Sequence, residues 1–261
     1  MDVQAALGII SPSDKGSYQL MERPLPKCAL AVVAHPDDVE YFCCGTLIKW
    51  LKQGCRVAYV IVSSGEKHCH DLAIDIKEII ATREREQLAS AEAIGVEDVT
   101  FLRYPDSDLA FADHAVLRAE LVRQIRRTRP EVVLTHDPMA RLIRQHVDHR
   151  VVGQLVVDAS FPLSGFTQCY KDQIIYEGLK PWQPQFLFLF GTDAANHFED
   201  VGKELLAKID ALEKHKSQKN FFDGGIANRL RWKARTTGEK YGLAAAEEFL
   251  VNQIGKSKSF S

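Results

Sequence analysis

The sequence predicts an α/β fold of the Rossmann-like kind, a doubly wound, mostly parallel sheet with helices on both faces. Three observations point there. Apolar runs of strand length recur along the first half of the chain, and a segment of helical length follows each. The runs are apolar at successive positions rather than alternate ones, as strands covered on both faces are. Parallel neighbours also need a crossover, and a helix supplies it.

The elements read in order as follows. Cys28 to Ala34 is a continuous apolar run and forms the first strand. Gly45 to Gln53 has helical spacing and stops at Gly54. Arg56 to Ser63 is a second, β-branched strand. Ile76 to Ile94 is a long helix ended by Gly95. Val99 to Leu102 is a short third strand. Asp113 to Arg129 is helical, with Pro130 after it, and Glu131 to Thr135 is the fourth strand. His146 to Ser160 is helical again. Residues 161–184, rich in Pro and Gly, read mostly as loop. Gln185 to Phe190 is a late strand whose Phe186, Phe188 and Phe190 belong to the core, and 200–216 and 225–236 are late helices. The expected organisation is an N-terminal arm over 1–24, a single domain over 25–254 and a flexible tail over 255–261.

Composition narrows the function classes. The 261 residues include 33 Lys and Arg against 35 Asp and Glu, a net charge of −2, which argues against electrostatic nucleic-acid binding. With 46% apolar residues the chain is not disordered. The longest strongly apolar runs, such as Val57 to Val62, are far short of the ~20 residues of a membrane span. The start, Met1-Asp2-Val3-Gln4, lacks the basic and apolar regions of a secretory signal. The expectation is a cytoplasmic protein with neither nucleic acid nor membrane as partner. None of the six cysteines forms a C-x-x-C pair, so they read as free thiols.

Ligands of open parallel sheets sit beyond the carboxyl ends of the strands. Here those loops hold His35-Pro-Asp-Asp-Val-Glu40, Ser63-Ser-Gly-Glu66, Arg103-Tyr-Pro-Asp-Ser-Asp108 and His136-Asp-Pro138. The last leads on to His146-Val-Asp-His149. The first loop is no dinucleotide fingerprint, which requires glycines. Its two adjacent carboxylates repel, and a divalent cation would offset that charge; alternatively, Asp37 or Asp38 merely caps the next helix. His146 and His149, three apart at a helix start, can project from one face. Asp148 between them can orient an imidazole. His35, Asp38 and His149 would give two imidazoles and one carboxylate with a position left open for water, as catalytic metal sites have.

These residues resemble the LmbE/PIG-L family of zinc-dependent N-acetylglucosaminyl deacetylases. The resemblance rests on Ala34-His-Pro-Asp-Asp-Val-Glu40 with Gly45-Thr46, on Ser64-Gly-Glu66, and on Arg83-x-x-Glu86 with Gly95-Val96. Phe101 to Asp106, His146-x-Asp148-His149, His215-Lys-Ser-Gln218 and Ala246-Glu-Glu-Phe249 extend it over about residues 28–250. It implies His35, Asp38 and His149 as metal ligands and Asp37 as general base. It implies His146 as the electrostatic or general-acid partner at the reacting carbonyl, oriented by Asp148. Arg83 and Asp106 match sugar-contacting positions, and Glu66 and Arg144 join them as candidate substrate-binding residues. The implied cofactor is Zn2+, with Fe2+ accepted by the same donors. The implied partner is a small N-acetylated sugar or glycoconjugate, and relatives often assemble as homo-oligomers. Two departures stand out: Val147 replaces a common Pro, and the run before His146 lacks the Tyr that helps some relatives stabilise an oxyanion.

The implied reaction is removal of an N-acetyl group from an N-acetylglucosamine-type substrate by metal-activated water. A positive His146 would help stabilise the tetrahedral oxyanion. Rival readings are a thiol-conjugate amidase of the same fold, a non-haem iron enzyme using the same two-His-one-Asp set, and a binding module without turnover. Specificity is expected in 136–145 and 161–184. Several residues are expected to be unremarkable. His68-Cys69-His70 reads as a loop, and Arg123, Arg126, Arg127 and Arg129 as a solvated face. His136 either lines the pocket or packs beside it, and Glu40 starts a helix or lies near the metal cluster.

Overall fold

The computed structural model describes residues 25–69, 71–140, 145–221 and 225–255. Strand β1 (Cys28–Val33) is buried at all six positions. Ala29, Ala31 and Val33 enter the core on one face, and Leu30, Val32 and the following Ala34 enter the core on the other. This two-sided burial explains the unbroken apolar run in the sequence. β2 (Arg56–Ser63) pairs with it in parallel, followed outward by β3 (Asp98–Tyr104). On the other side β4 (Val132–His136) and then β5 (Phe186–Phe190) continue the parallel sheet.

Two strands close the far edge: β6 (His197–Asp200) and β7 (Ala246–Gln253). β7 runs antiparallel to both β5 and β6. Among the described residues the seven-stranded order is β3-β2-β1-β4-β5-β7-β6. The parallel, doubly wound core is therefore as the sequence indicates. β6 and β7 are additions, because four residues of His-Phe-Glu-Asp and the charged start Ala-Glu-Glu-Phe carry little strand signal. The chain moves outward from β1 to β2 and β3, then returns to β4 on β1's other side. That reversal places a crevice at the carboxyl ends of β1 and β4.

The helices flank this sheet. They are α1 (Asp38–Phe42), α2 (Cys44–Lys52), α3 (Ile76–Ile94) and α4 (His114–Thr128). Then come α5 (Val147–Asp158), α6 (Lys171–Ile175), α7 (Leu205–Leu212) and α8 (Ile226–Glu239). The single late helix expected over 200–216 is shorter, and a 3-10 turn over Lys216–Phe221 follows it. The N-terminus of α2 is capped from β7. Glu247 accepts from the backbone N–H groups of Gly45 (2.9 Å) and Thr46 (2.8 Å), and the buried Lys208 ammonium pairs with it.

The arginine run on α4 divides. Arg126 is buried, contrary to the expected solvated face. Its guanidinium donates to the carbonyls of Leu163, Ser164, Phe166, Cys169 and Tyr170. The segment 161–184 is thereby tied to the flank of the sheet around one cation. Cys28, Cys43, Cys44 and Cys55 are buried free thiols; Cys69 and Cys169 are partly exposed. The arm expected over 1–24, and the expected tail beyond Gly255, lie outside the described residues. Among the described residues no helix is long and apolar enough to cross a membrane.

α5 carries His149 and packs against β4 through Gly153. A Cβ there would meet the His136 carbonyl at 2.5 Å and the Pro138 backbone nitrogen at 3.2 Å. Gly153→Ala is expected to cost about 1–3 kcal/mol. Because the clash pushes α5 off β4, it is also expected to move His149 and weaken divalent-metal binding. Thermal unfolding and metal stoichiometry measured together check both effects.

Candidate metal centre and active site

β1 ends at Ala34, and the next residues turn sharply into α1. His35 N–H donates to Asp38 Oδ2 at 2.8 Å, which folds the Asp38 side chain back over the strand end. α5 approaches from the β4 side and presents His149. Its Nε2 lies 3.3 Å from His35 Nδ1 and 3.2 Å from Asp38 Oδ1. Asp38 Oδ2 is 3.4 Å from His35 Nδ1. One ligand atom from each of the three falls within 4.8 Å of the others.

His35, Asp106 and His146 form a second group that meets the same distance test. Hydrogen bonding favours the first. His35 Nε2 faces Asp106 Oδ1 at 3.2 Å and Asp148 Oδ2 at 3.3 Å. A ring nitrogen between two carboxylate acceptors carries the hydrogen, which leaves the Nδ1 lone pair for a metal. Burial works against charge on His35, but Asp106, Asp148 and Asp38 outweigh it and hold its pKa well above the ordinary value, so a metal taking Nδ1 would displace a proton from it. Burial likewise opposes ionisation of Asp38, yet His149 and His136 hold its carboxyl well below the usual range. Asp106 is lowered too, chiefly by its bond to His35 against the effect of burial.

The charge balance fits a cation. Asp37, Asp38, Asp106 and Asp148 converge on this end of the sheet, and the latter three are buried. The lysine on the cleft wall, Lys67, already pairs with Asp108 at 2.6 Å. Two imidazole nitrogens and a carboxylate oxygen, backed by excess negative charge, are a donor set that suits zinc or Fe2+.

Asp37 sits in the left-handed region, with φ 93° and ψ −20°. Its Oδ2 accepts from Arg83 Nη2 at 2.9 Å. Arg83 also donates to the carbonyls of Pro36 and Gly65, each at 2.6 Å. Gly65 has a φ of 66°, and a Cβ there would strike the guanidinium at 2.7 Å. Burial raises the Asp37 pKa, and Arg83 offsets part of that rise.

Several expected roles are redistributed. Arg83, expected at sugar hydroxyls, borders the cleft, but it is buried and its guanidinium also holds the His35–Asp38 turn through the Pro36 carbonyl and the Asp37 carboxylate. Glu66, also expected at the substrate, accepts from the Asp106 N–H at 3.0 Å and so holds the loop that carries Asp106. Asp148 was expected to orient His146, but its carboxylate instead faces His35 and accepts from Ser107 N–H at 2.7 Å. The reason is burial: Asp148 lies on the inner side of the α5 start, whereas His146 caps that helix from outside. Arg144 lies outside the described residues, as does His70.

His146 Nδ1 accepts from the Asp148 N–H at 3.2 Å. The hydrogen is therefore on Nε2, 3.5 Å from Ser107 Oγ. Desolvation in the cleft, together with His35 and His149, lowers its pKa. The lowered pKa favours the neutral ring with its hydrogen on Nε2 over the imidazolium expected from sequence. His136 stacks on His149 with centroids 3.9 Å apart and is pushed down to about 3, mainly by burial. Its two readings meet: it borders the cleft yet is almost wholly buried, packed against His149 and Phe190.

The cleft above these groups holds about 490 Å³, within the usual range for small-ligand pockets. Tyr41, Phe42 and His68 line it, with Gln145 from the expected specificity segment and Gln218, Ile226 and Arg229 from the C-terminal part. Residues 161–184, expected to set specificity, contribute nothing to this lining. The C-terminal wall was not anticipated as such. His215-Lys-Ser-Gln218 was its one local signal, and the apolar and basic residues of α8 look like any surface helix.

A family model described as PIG-L, GlcNAc-PI de-N-acetylase, matches residues 30–160. A diacetylchitobiose deacetylase of Thermococcus kodakarensis is 30% identical over 192 residues, covering 74% of this chain and 70% of that protein. A probable N-acetyl-α-D-glucosaminyl L-malate deacetylase of Bacillus anthracis is 24% identical, covering 79% of this chain and 91% of its own. Among solved structures, an N,N'-diacetylchitobiose deacetylase from Pyrococcus horikoshii superposes with a TM-score of 0.80 at 28% identity, covering 87% of this chain and 84% of its own. With half of the chain matched by the family model, and the His35–Asp38 turn and His149 inside that match, the protein belongs to the PIG-L family.

Proposed function

We propose that this protein is a metal-dependent hydrolase that removes the acetyl group from an N-acetylated amino sugar or its glycoconjugate. The observation that carries the reading is the His35–Asp38–His149 donor set with the carboxylate of Asp37 beside it in the same cleft. The T. kodakarensis and P. horikoshii relatives, named for deacetylation of diacetylchitobiose, support the substrate class.

His35, Asp38 and His149 would hold the cation, zinc by default for this donor set and Fe2+ as the alternative. When bound there, a divalent cation supplies Lewis acidity, which brings the pKa of water down to about 7 and polarises an acyl oxygen. The remaining work falls to the protein's own side chains. Asp37 takes the proton of the attacking water; its Oδ2 is tied to Arg83, so Oδ1 receives it. His146 donates from Nε2 to the developing oxyanion, a role that needs a hydrogen on that atom and no positive charge. Asp37 then returns its proton to the departing amine. Asp106 and Asp148 hold the ring of His35, and Glu66 holds Asp106. The cleft volume accommodates a sugar unit with part of its aglycone, and Tyr41 and Phe42 are part of its wall.

Acetate release across a panel of N-acetylated sugars and glycosides tests the reaction. Release is expected from zinc- or Fe2+-loaded protein and is expected to vanish in chelator-stripped protein. A thiol-conjugate amide in the same panel separates the amidase variant. Loaded protein that releases acetate from none of them would reject the proposal. Asp37→Asn is expected to lower kcat by about 10²–10⁴ while keeping one equivalent of metal. His149→Ala is expected to lose the metal itself, read as metal content after gel filtration. If Asp37→Asn retained full kcat, the assignment of the base would be wrong.

A further inference from the structure

Asp37 is gripped from α3. Arg83, Gln87 and Ser90 follow one another at i, i+4 and i+7, so they project from one helix face, and all three are buried. Arg83 serves the Asp37 carboxylate. Gln87 serves its backbone: Gln87 Oε1 accepts from Asp37 N–H at 3.0 Å, and Gln87 Nε2 donates to Glu40 Oε1 at 2.9 Å. Ser90 Oγ donates to the same oxygen at 2.9 Å. The other Glu40 oxygen faces His215 Nε2 at 3.4 Å, and Glu40, Gln87 and His215 are all buried.

The group types are matched to this place. A backbone N–H can only donate, and an ionised carboxylate can only accept. A primary amide has one acceptor end and one donor end, so it joins the two in a single orientation. The chain conformation at Asp37 makes that junction matter. A residue other than glycine keeps a φ of 93° only where its surroundings hold it. Without Gln87 the Asp37 N–H would lose its partner, and the turn would be free to relax toward ordinary backbone angles.

We propose that Gln87 is a positioning residue for the reaction. It acts through the Asp37 backbone, is oriented by Glu40 and Ser90, and sets the direction from which the base meets the attacking water. This rests on the reading of Asp37 as general base. Gln87 belongs to the wall behind the turn and is absent from the cleft lining, so substrate affinity should be little affected.

The test uses zinc-loaded full-length protein and an acetate-release assay. Gln87→Met keeps the length and removes both hydrogen bonds. It is expected to lower kcat by about a hundredfold, as a misplaced catalytic group does. KM should stay within about twofold, because ground-state binding is not touched. The swap of Gln87→Glu with Glu40→Gln restores an acceptor for Asp37 N–H and a donor to that acceptor, and it is expected to recover most of the lost kcat. Activity is normalised to folded, metal-loaded protein by unfolding midpoint and metal content. Unchanged kcat in Gln87→Met overturns the proposal. So does an equal loss in the swap, or a loss that disappears on normalisation. If Gln87→Met does not fold, Gln87→Asn, whose amide is too short to span both partners, takes its place with the same readings. Asp37→Asn run alongside separates the two ideas. If it is inactive while Gln87→Met keeps kcat, the base stands and the clamp falls; if it is active, both fall.

Discussion

Negative charge crowded around one imidazole is the constraint on which the rest of this structure turns. Asp38, Asp106 and Asp148 all lie within 3.4 Å of His35, and Asp37 is its near neighbour in sequence. Such a group of carboxylates, brought out of water, repels itself strongly unless protons, cations or hydrogen-bond donors compensate. The donors come from all around. Ser107 N–H serves Asp148, Lys67 N–H serves Asp106, His35 N–H serves Asp38, and Arg83 serves Asp37. A divalent ion at His35, Asp38 and His149 would complete the compensation, which is the physical sense in which the fold prepares the reaction proposed here.

The sheet makes that crowding possible. β1 and β4 are parallel neighbours at the point where the strand order reverses, so the chain segments leaving them must diverge. One leaves as the His35–Asp38 turn, and the other leads toward α5. Both strands are buried, which makes the platform rigid. Gly153 lets α5 approach the β4 backbone closely enough for His149 to reach the turn. Packing, not propensity, therefore sets the separation of the candidate ligands.

The site was legible where its residues are close in sequence or occupy strand ends. Asp37 and Asp38 sit immediately after an unmistakable buried strand, and the three-residue spacing of His146 and His149 on a helix start marks a common face. Partnerships across the chain were not legible. Arg83 and Asp37 are 46 positions apart, and Asp148 and His35 are 113 apart. Read alone, Arg83 is one of several charged residues on a long helix and Glu66 a polar residue just past a strand end, and each fits a sugar as well as it fits a loop. Burial decides between these: a buried guanidinium must spend its donors on protein carbonyls. Arg126 shows the same effect on the opposite flank, where a seemingly solvated arginine gathers five carbonyls.

The sequence by itself determined the parallel core, the His-Pro-Asp-Asp turn and the family, because hydrophobic runs and short motifs act over a few residues. The tertiary structure alone decided which side chain serves which. It set Asp148 against His35, turned Arg83 and Gln87 onto the Asp37 turn, and closed the cleft with α8. Those pairings depend on strand order and helix packing, and no local pattern of residues encodes the distance between two segments a hundred positions apart.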